Sequence, residues 1–224
     1  MSYCLLCNTN YKPQIDFKDL FLFKKPQEKA ICPNCLSKFE KINGQHCMNC
    51  NKAGQKVKFC SDCRVWQVKY QGKLLKNKSI YRYNQAMHDL MVNYKRYGDY
   101  VLHQVLADLI KSQISPADYY VPIPTSKSHI ARRQFDTVSE IFKDLVPLTF
   151  ILGKIDNGSA QGEKNRQQRL KTEQSFYVNE KLNLQGNILL LDDIYTTGRT
   201  LYHARDALAA AFPNSCIKSF TLAR

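Results

Sequence analysis

Asn187-Ile188-Leu189-Leu190-Leu191-Asp192-Asp193-Ile194-Tyr195-Thr196-Thr197-Gly198-Arg199-Thr200 is the stretch that decides the fold of this 224-residue chain. Its opening apolar run suits a short strand buried on both faces of a parallel sheet. Such a strand delivers the loop after it to the carboxyl edge of the sheet, where open α/β folds bind ligands. Adjacent carboxylates at Asp192 and Asp193 repel, and are best tolerated where hydroxyls or a divalent cation meet them. Thr196, Thr197, Gly198, Arg199 and Thr200 then supply hydroxyls, a flexible glycine and a run of backbone N–H groups at a helix start, which together make an anion cradle. Carboxylates for ribose hydroxyls beside a cradle for phosphate describe a ribose 5-phosphate site.

Outward from this loop, strands and helices alternate. A helix is expected over about residues 200–211 and a closing strand over 217–222, where Cys216 reads as a buried free thiol at the strand's start. Upstream, Met87, Leu90, Met91 and Tyr94, then Val101, Val105, Leu106, Leu109 and Ile110, recur at helical spacing and predict two helices broken near Gly98. His88 and His103 lie on or beside those stripes as ordinary helix histidines. Tyr119-Tyr120-Val121-Pro122-Ile123-Pro124 reads as a strand running into a loop, followed by a helix over about residues 129–146 with Lys127, Arg132 and Arg133 near its start. Residues 150–152 begin another apolar segment, the polar run 154–174 is a long loop of the functional kind, and 175–178 return to the sheet. The pattern is that of a mostly parallel, doubly wound α/β sheet.

The first third of the chain is different. Eight of nine cysteines form four Cys-x-x-Cys pairs: Cys4 and Cys7, Cys32 and Cys35, Cys47 and Cys50, Cys60 and Cys63. A two-residue knuckle aims both sulfurs at one ion, so the spacing predicts two structural zinc sites of four thiolates each. Disulfides would need an oxidising compartment, and Met1-Ser2-Tyr3-Cys4 does not look like an export signal, so a cytosolic location is expected. Two ribbons in sequence or an interleaved cross-brace are both open. His46 could replace a cysteine, but four complete pairs make that unnecessary.

Charge is also uneven. Residues 1–80 hold 15 Lys/Arg against 5 Asp/Glu, whereas the remainder hold 18 against 14. A polyanion is the natural partner of such a basic third. Between residues 67 and 83, Lys69, Tyr70, Lys73, Lys76 and Lys78 interleave cations with aromatics, which suits single-stranded nucleic acid as well as a plain linker. No apolar run approaches the roughly 20 residues of a membrane-crossing helix, so an integral membrane protein is not expected. The expected organisation is a double zinc-ribbon module over 1–66, a basic and aromatic linker over 67–83, and the α/β domain over 84–224.

Residues 190–200 resemble the signature of type I phosphoribosyltransferases that binds phosphoribosyl diphosphate (PRPP). Val121-Pro122-Ile123-Pro124 with Arg132, Arg133 and Phe135 resembles the diphosphate-loop region of one branch, the ComF family of late-competence proteins, whose members also carry an N-terminal cysteine-rich zinc module. Gln161, Arg169 and Phe176 resemble landmarks of that family's flexible loop. Where the family often reads Arg-Gly-Phe-Asn-Gln, this chain has Arg133-Gln134-Phe135-Asp136-Thr137. The resemblance implies a type I phosphoribosyltransferase fold after the zinc ribbons, and PRPP held with magnesium. Asp192 and Asp193 would meet the ribose and metal, Thr196 to Thr200 the 5-phosphate, and Lys127, Arg133, Arg166 and Arg169 the diphosphate and flexible loop. It further implies single-stranded DNA, and the competence helicase of the ComF operon, as partners in DNA uptake, at the inner face of the membrane. A working phosphoribosyltransferase on another acceptor is the alternative. Purine salvage is disfavoured, because Thr196 stands where salvage enzymes place an aspartate base.

Overall fold

The computed structural model describes residues 2–12, 29–155, 175–179 and 184–224. In chain order, β1 (Ser2–Tyr3) and β2 (Asn10–Tyr11) form a small antiparallel pair. The short α1 (Pro33–Leu36) and then α2 (Ser61–Lys69) each start on a cysteine knuckle. β3 (Asn77–Tyr81), α3 (Gln85–Lys95), a 3₁₀ turn over Tyr100–Leu102 and α4 (His103–Ile110) follow. Then come β4 (Tyr119–Pro122), α5 (Lys127–Arg133) and α6 (Thr137–Phe142). The hairpin strands β5 (Leu152–Lys154) and β6 (Phe176–Val178) precede β7 (Asn187–Ile194), α7 (Arg199–Ala211) and β8 (Cys216–Ala223).

The central sheet has the order β3-β8-β7-β4, and all three pairings are parallel. Period-two alternation along β7 splits its apolar residues between two cores. Leu189 and Leu191 face α3, α4 and α6, packing with Met91, Tyr94, Leu106 and Phe142. Ile188 and Leu190 face α7 and the β5–β6 hairpin, packing with Leu201, Tyr202, Leu208 and Phe176. A parallel sheet covered by helices, with two four-cysteine groups ahead of it, is the mostly parallel α/β architecture expected from the sequence.

The cysteine segment is not an appendage. Cys4, Cys32 and Cys35 belong to the first core, and Cys47, Cys50, Cys60 and Cys63 to the second, so the segment straddles edge strand β3. It also covers that edge: Ile42 N–H donates to Ile80 O (2.8 Å), Arg82 N–H to Glu40 O (2.8 Å) and Asn77 N–H to Asn49 O (2.8 Å). An uncovered edge would be a template for pairing with other chains. The segment 67–83, expected as a linker, thus supplies the end of α2 and a strand of the sheet. Buried Asn77, Ser79, Ser219 and Thr221 hydrogen-bond to one another at 2.7–3.3 Å and pin the β3–β8 register.

Three further expectations change. Among the described residues, the hairpin strand β6 pairs only with β5, antiparallel, and does not join the central sheet. Cys216 is exposed, at the amino edge of the sheet where β8 begins. The single helix over 129–146 is two helices, because Gln134 turns into the left-handed region (φ 67°) and Asp136 caps α6 through Val138 N–H (3.1 Å) and Ser139 N–H (2.8 Å). A β-carbon at that φ costs about 1 kcal/mol that glycine avoids. Gln134→Gly is therefore expected to raise the melting temperature by roughly 1–3 °C. A fall in the thermal melt would show that the glutamine side chain contributes more than its backbone costs.

Candidate functional site

β4 and β7 end side by side, with Ile123 N–H bonded to Leu191 O at 2.9 Å, and their following loops wall a cavity of about 320 Å³ at the carboxyl edge of the sheet. Asp192, Asp193, Thr196 and Thr200 line one side. Thr125, Ser126, His129 and Arg133 line the other, with Lys95 from the end of α3 and Lys154 from β5. A larger cavity of about 370 Å³ lies at the opposite, amino edge beside Cys216, but no carboxylate lines it. The smaller cavity is the one with paired acids, hydroxyls and a helix start.

The two aspartates differ. Asp193 is buried and ion-paired with Lys95. Asp192 is half-buried, and its carboxyl is pushed up to about 7 by burial and by the Asp193 charge, against the opposing pull of Lys95 and Lys154. It is thus partly protonated near neutral pH and poised to lose its proton to a cation or a hydrogen-bond donor. The pKa of His129 is pushed down from its ordinary value by burial and by the Arg133 charge, which favours its neutral ring. Arg133 Nε donates to Lys95 O (2.6 Å), which fixes the arginine across the C-terminal end of α3.

The loop between β7 and α7 owes its shape to Gly198. Its φ of 86° is a left-handed value, and a β-carbon there would lie 2.2 Å from the Tyr195 hydroxyl. Tyr195 itself points away from the cavity, buried in the second core, and its hydroxyl is the one buried side-chain polar atom without a partner among the described residues. It is not a base for chemistry in the cavity.

Of the residues expected from sequence, Asp192, Asp193, Thr196, Thr200 and Arg133 come together around this cavity. Thr197, Gly198 and Arg199 form the turn behind it; the Arg199 N–H reaches the Thr197 hydroxyl at 3.5 Å. Lys127 is exposed in the first turn of α5 and is not in the wall. Arg166 and Arg169, with Gln161, lie outside the described residues. Lys95, His129 and Lys154 are additions. Lys95 closes an apolar helical stripe, and only the packing of α3 against the sheet brings its amine to Asp193.

Lys69, Lys73, Lys76 and Lys78 are exposed, Lys78 donating to Gln113 O at 2.6 Å. Tyr70 is committed to the fold. Its ring stacks on Tyr202 (4.9 Å between centroids) beneath the Arg205 guanidinium (4.0 Å), and its hydroxyl donates to Asp206 (2.6 Å). That ring is not offered to a nucleic-acid base.

The cysteines fall into two local groups, Cys4, Cys7, Cys32, Cys35 and Cys47, Cys50, Cys60, Cys63, with sulfurs within 4.8 Å of one another in each. This is the sequential pairing, not a cross-brace. A zinc–sulfur bond of about 2.3 Å sets the edges of a tetrahedron at about 3.8 Å. The Cys7–Cys32 and Cys50–Cys60 separations of 3.8 and 3.6 Å fit it. Backbone N–H groups of Cys32 and Cys60 point at the sulfurs of Cys4 (3.3 Å) and Cys47 (3.4 Å), as thiolates require. Each group could hold a zinc ion and leaves no open position on it. His46 is not among these ligands; its Nδ1 lies 2.7 Å from Gly44 O. No helix among the described residues is long and apolar enough to cross a membrane.

No protein-family model matches the chain. It is 33% identical over 223 residues to "Competence protein ComFC" of Streptococcus pneumoniae (strain ATCC BAA-255 / R6), covering 99% of both chains. It is also 33% identical over 229 residues to "Competence protein ComFC" of Bacillus subtilis (strain 168), covering 99% of this chain and 94% of that one. A solved "structure of the allosteric regulatory enzyme of purine biosynthesis" is similar over 53% of this chain and 26% of that one. Its identity is 16% and its TM-score 0.34, a likeness too loose to carry an argument.

Proposed function

The chain belongs to the ComFC family of competence proteins, and from that premise we propose that it binds PRPP or a related ribose 5-phosphate ligand together with single-stranded DNA, assisting uptake of transforming DNA. The observation that carries the ligand half is the cavity at the carboxyl edge, where two carboxylates sit beside the Thr196–Thr200 turn and opposite Arg133 and Lys154. Asp192 and Asp193 would take the ribose 2- and 3-hydroxyls and a magnesium ion. N–H groups and hydroxyls of the turn would take the 5-phosphate, and Arg133, Lys154 and Lys95 the diphosphate.

The DNA half rests on the exposed lysines of residues 69–78 beside the second cysteine group. Four phosphate contacts on a single strand give a log–log salt slope of about −3. Binding of a single-stranded oligonucleotide across a salt series is expected to show that slope. Each Lys→Gln change at 69, 73, 76 or 78 should reduce it by about 0.7. Absence of binding at low salt rejects the DNA half.

A second proposal, a working phosphoribosyltransferase on an unidentified acceptor, is favoured by the place of Asp192 in the cavity wall, where a carboxyl pushed up to about 7 by burial and by Asp193 suits proton transfer at neutral pH. Diphosphate release from PRPP should then fall at least about 100-fold in Asp192→Asn. Unchanged release would reject catalysis through this carboxyl and leave binding as the function.

A further inference from the structure

The second cysteine group and the phosphate turn touch through two side chains. Arg224, just beyond β8, donates from Nε to Cys50 Sγ (3.3 Å) and from Nη2 to Asp62 Oδ2 (2.9 Å). Its Nη1 donates in the other direction, to Tyr195 O (3.1 Å) and to Thr196 O. The guanidinium also lies 4.5 Å from the centre of the Tyr195 ring. Trp66, three residues after Cys63 on α2, donates from Nε1 to Thr197 O (2.7 Å) and stacks on Tyr202 of α7 with centroids 4.4 Å apart.

Three consecutive carbonyls, 195 to 197, are therefore held from the cysteine side. This matters for an anion site. In a turn that presents its N–H groups to a phosphate, the carbonyls must face the other way and find donors there. Arg224 and Trp66 are those donors. The Arg224 side chain is only 6% exposed, and a guanidinium so deeply buried needs anionic partners. A zinc ion on four thiolates would carry two net negative charges beside it. Among the described residues, no hydrogen bond joins the first cysteine group to the turn; its sulfurs meet Thr9 and one another's backbone.

We propose that Arg224 and Trp66 are positioning residues through which the second cysteine group holds the phosphate turn in its binding form, so that metal at Cys47, Cys50, Cys60 and Cys63 and an anion at the turn stabilise each other. The anion half rests on the ribose 5-phosphate proposal above. Because linkage is reciprocal, the anion must strengthen metal retention by the factor with which the metal strengthens anion binding, and only at the second group.

The test uses the full zinc-loaded chain with Arg224→Gln and with Trp66→Phe, which keeps a ring on Tyr202 and removes only the donor. In the absence of any ligand, hydrogen exchange at the amides of residues 195–199 is expected to quicken about tenfold in Arg224→Gln, the worth of roughly one charge-assisted hydrogen bond, and about fivefold in Trp66→Phe, the worth of one neutral bond. Zinc content should stay at two per chain. In the native chain, saturating ribose 5-phosphate should slow chelator-driven release of one zinc of the two, and of neither in the double variant. Unchanged exchange in both variants overturns the link. So does ribose 5-phosphate that binds by calorimetry yet slows both zincs equally or neither. If calorimetry detects no ribose 5-phosphate binding, the ligand proposal itself fails, and the exchange arm still decides whether the cysteine group shapes the turn.

Discussion

Asp192→Asn should make the protein more stable at pH 8 and poorer at binding its ligand. The carboxyl is displaced from the ordinary 3.8 up to about 7 by burial first and by the Asp193 charge second. Between those values the unfolded chain has released a proton that the folded chain retains. Stability therefore falls as pH rises through the window from about 4 to 7, and the loss is complete above it. At roughly 1.4 kcal/mol per unit the ceiling is about 4 kcal/mol, and water reaching a half-buried group lowers it to about 1–3 kcal/mol. Asparagine cannot ionise and escapes the loss. Thermal melts should show a gain of roughly 3–8 °C at pH 8 and almost none at pH 4. An equal gain at both pH values, or a loss at pH 8, would mean that the carboxyl is not under this strain. A residue that weakens the fold where it ionises, at the mouth of a cavity, is what a binding role leaves behind.

Metal removal should have a larger effect still. Structural zinc on four thiolates is worth about 10–16 kcal/mol in apparent binding free energy, as much as the whole stability of an ordinary domain, about 5–15 kcal/mol. Here one cysteine group lies in each of the two cores that sandwich the sheet. Chelation is therefore expected to take the α/β domain down with the ribbons, seen as cooperative loss of the helical circular dichroism signal as zinc leaves. Cys60→Ser should cost more than Cys7→Ser, because Cys60 is buried and Cys7 exposed. A zinc-free chain with an unchanged melt would show that the cysteine groups are not structural metal sites.

Much of this was legible in the residues. The apolar run into Asp192-Asp193 marked a buried strand and its ligand edge, and four Cys-x-x-Cys pairs marked two groups. The helix stripes broke near Gly98 as their periodicity implied. What the chain hid were matters of long-range packing. Nothing in the spacing of Lys69 to Lys78 says that β3 is an edge strand of the main sheet, since its partner β8 lies some 140 residues later. Tyr70 looked available because alternation with lysines says nothing of Tyr202 and Arg205, which come to it from α7. The split at Gln134 was hidden because the apolar residues on either side keep helical spacing while the backbone turns through a conformation only weakly encoded in side chains. Lys95 belonged visibly to a helix, but its role depends on where that helix ends over the sheet.

The most direct measurement is a calorimetric titration with PRPP and magnesium near pH 7, run in two buffers of different ionisation heat. One ligand should bind per chain, with heats that differ between the buffers because Asp192 gives up its proton as ribose and magnesium arrive, and Asp193→Ala should abolish the signal. Saturable binding that survives Asp193→Ala unchanged, or no binding at all, would contradict a ribose 5-phosphate site at the Asp192–Thr200 loop.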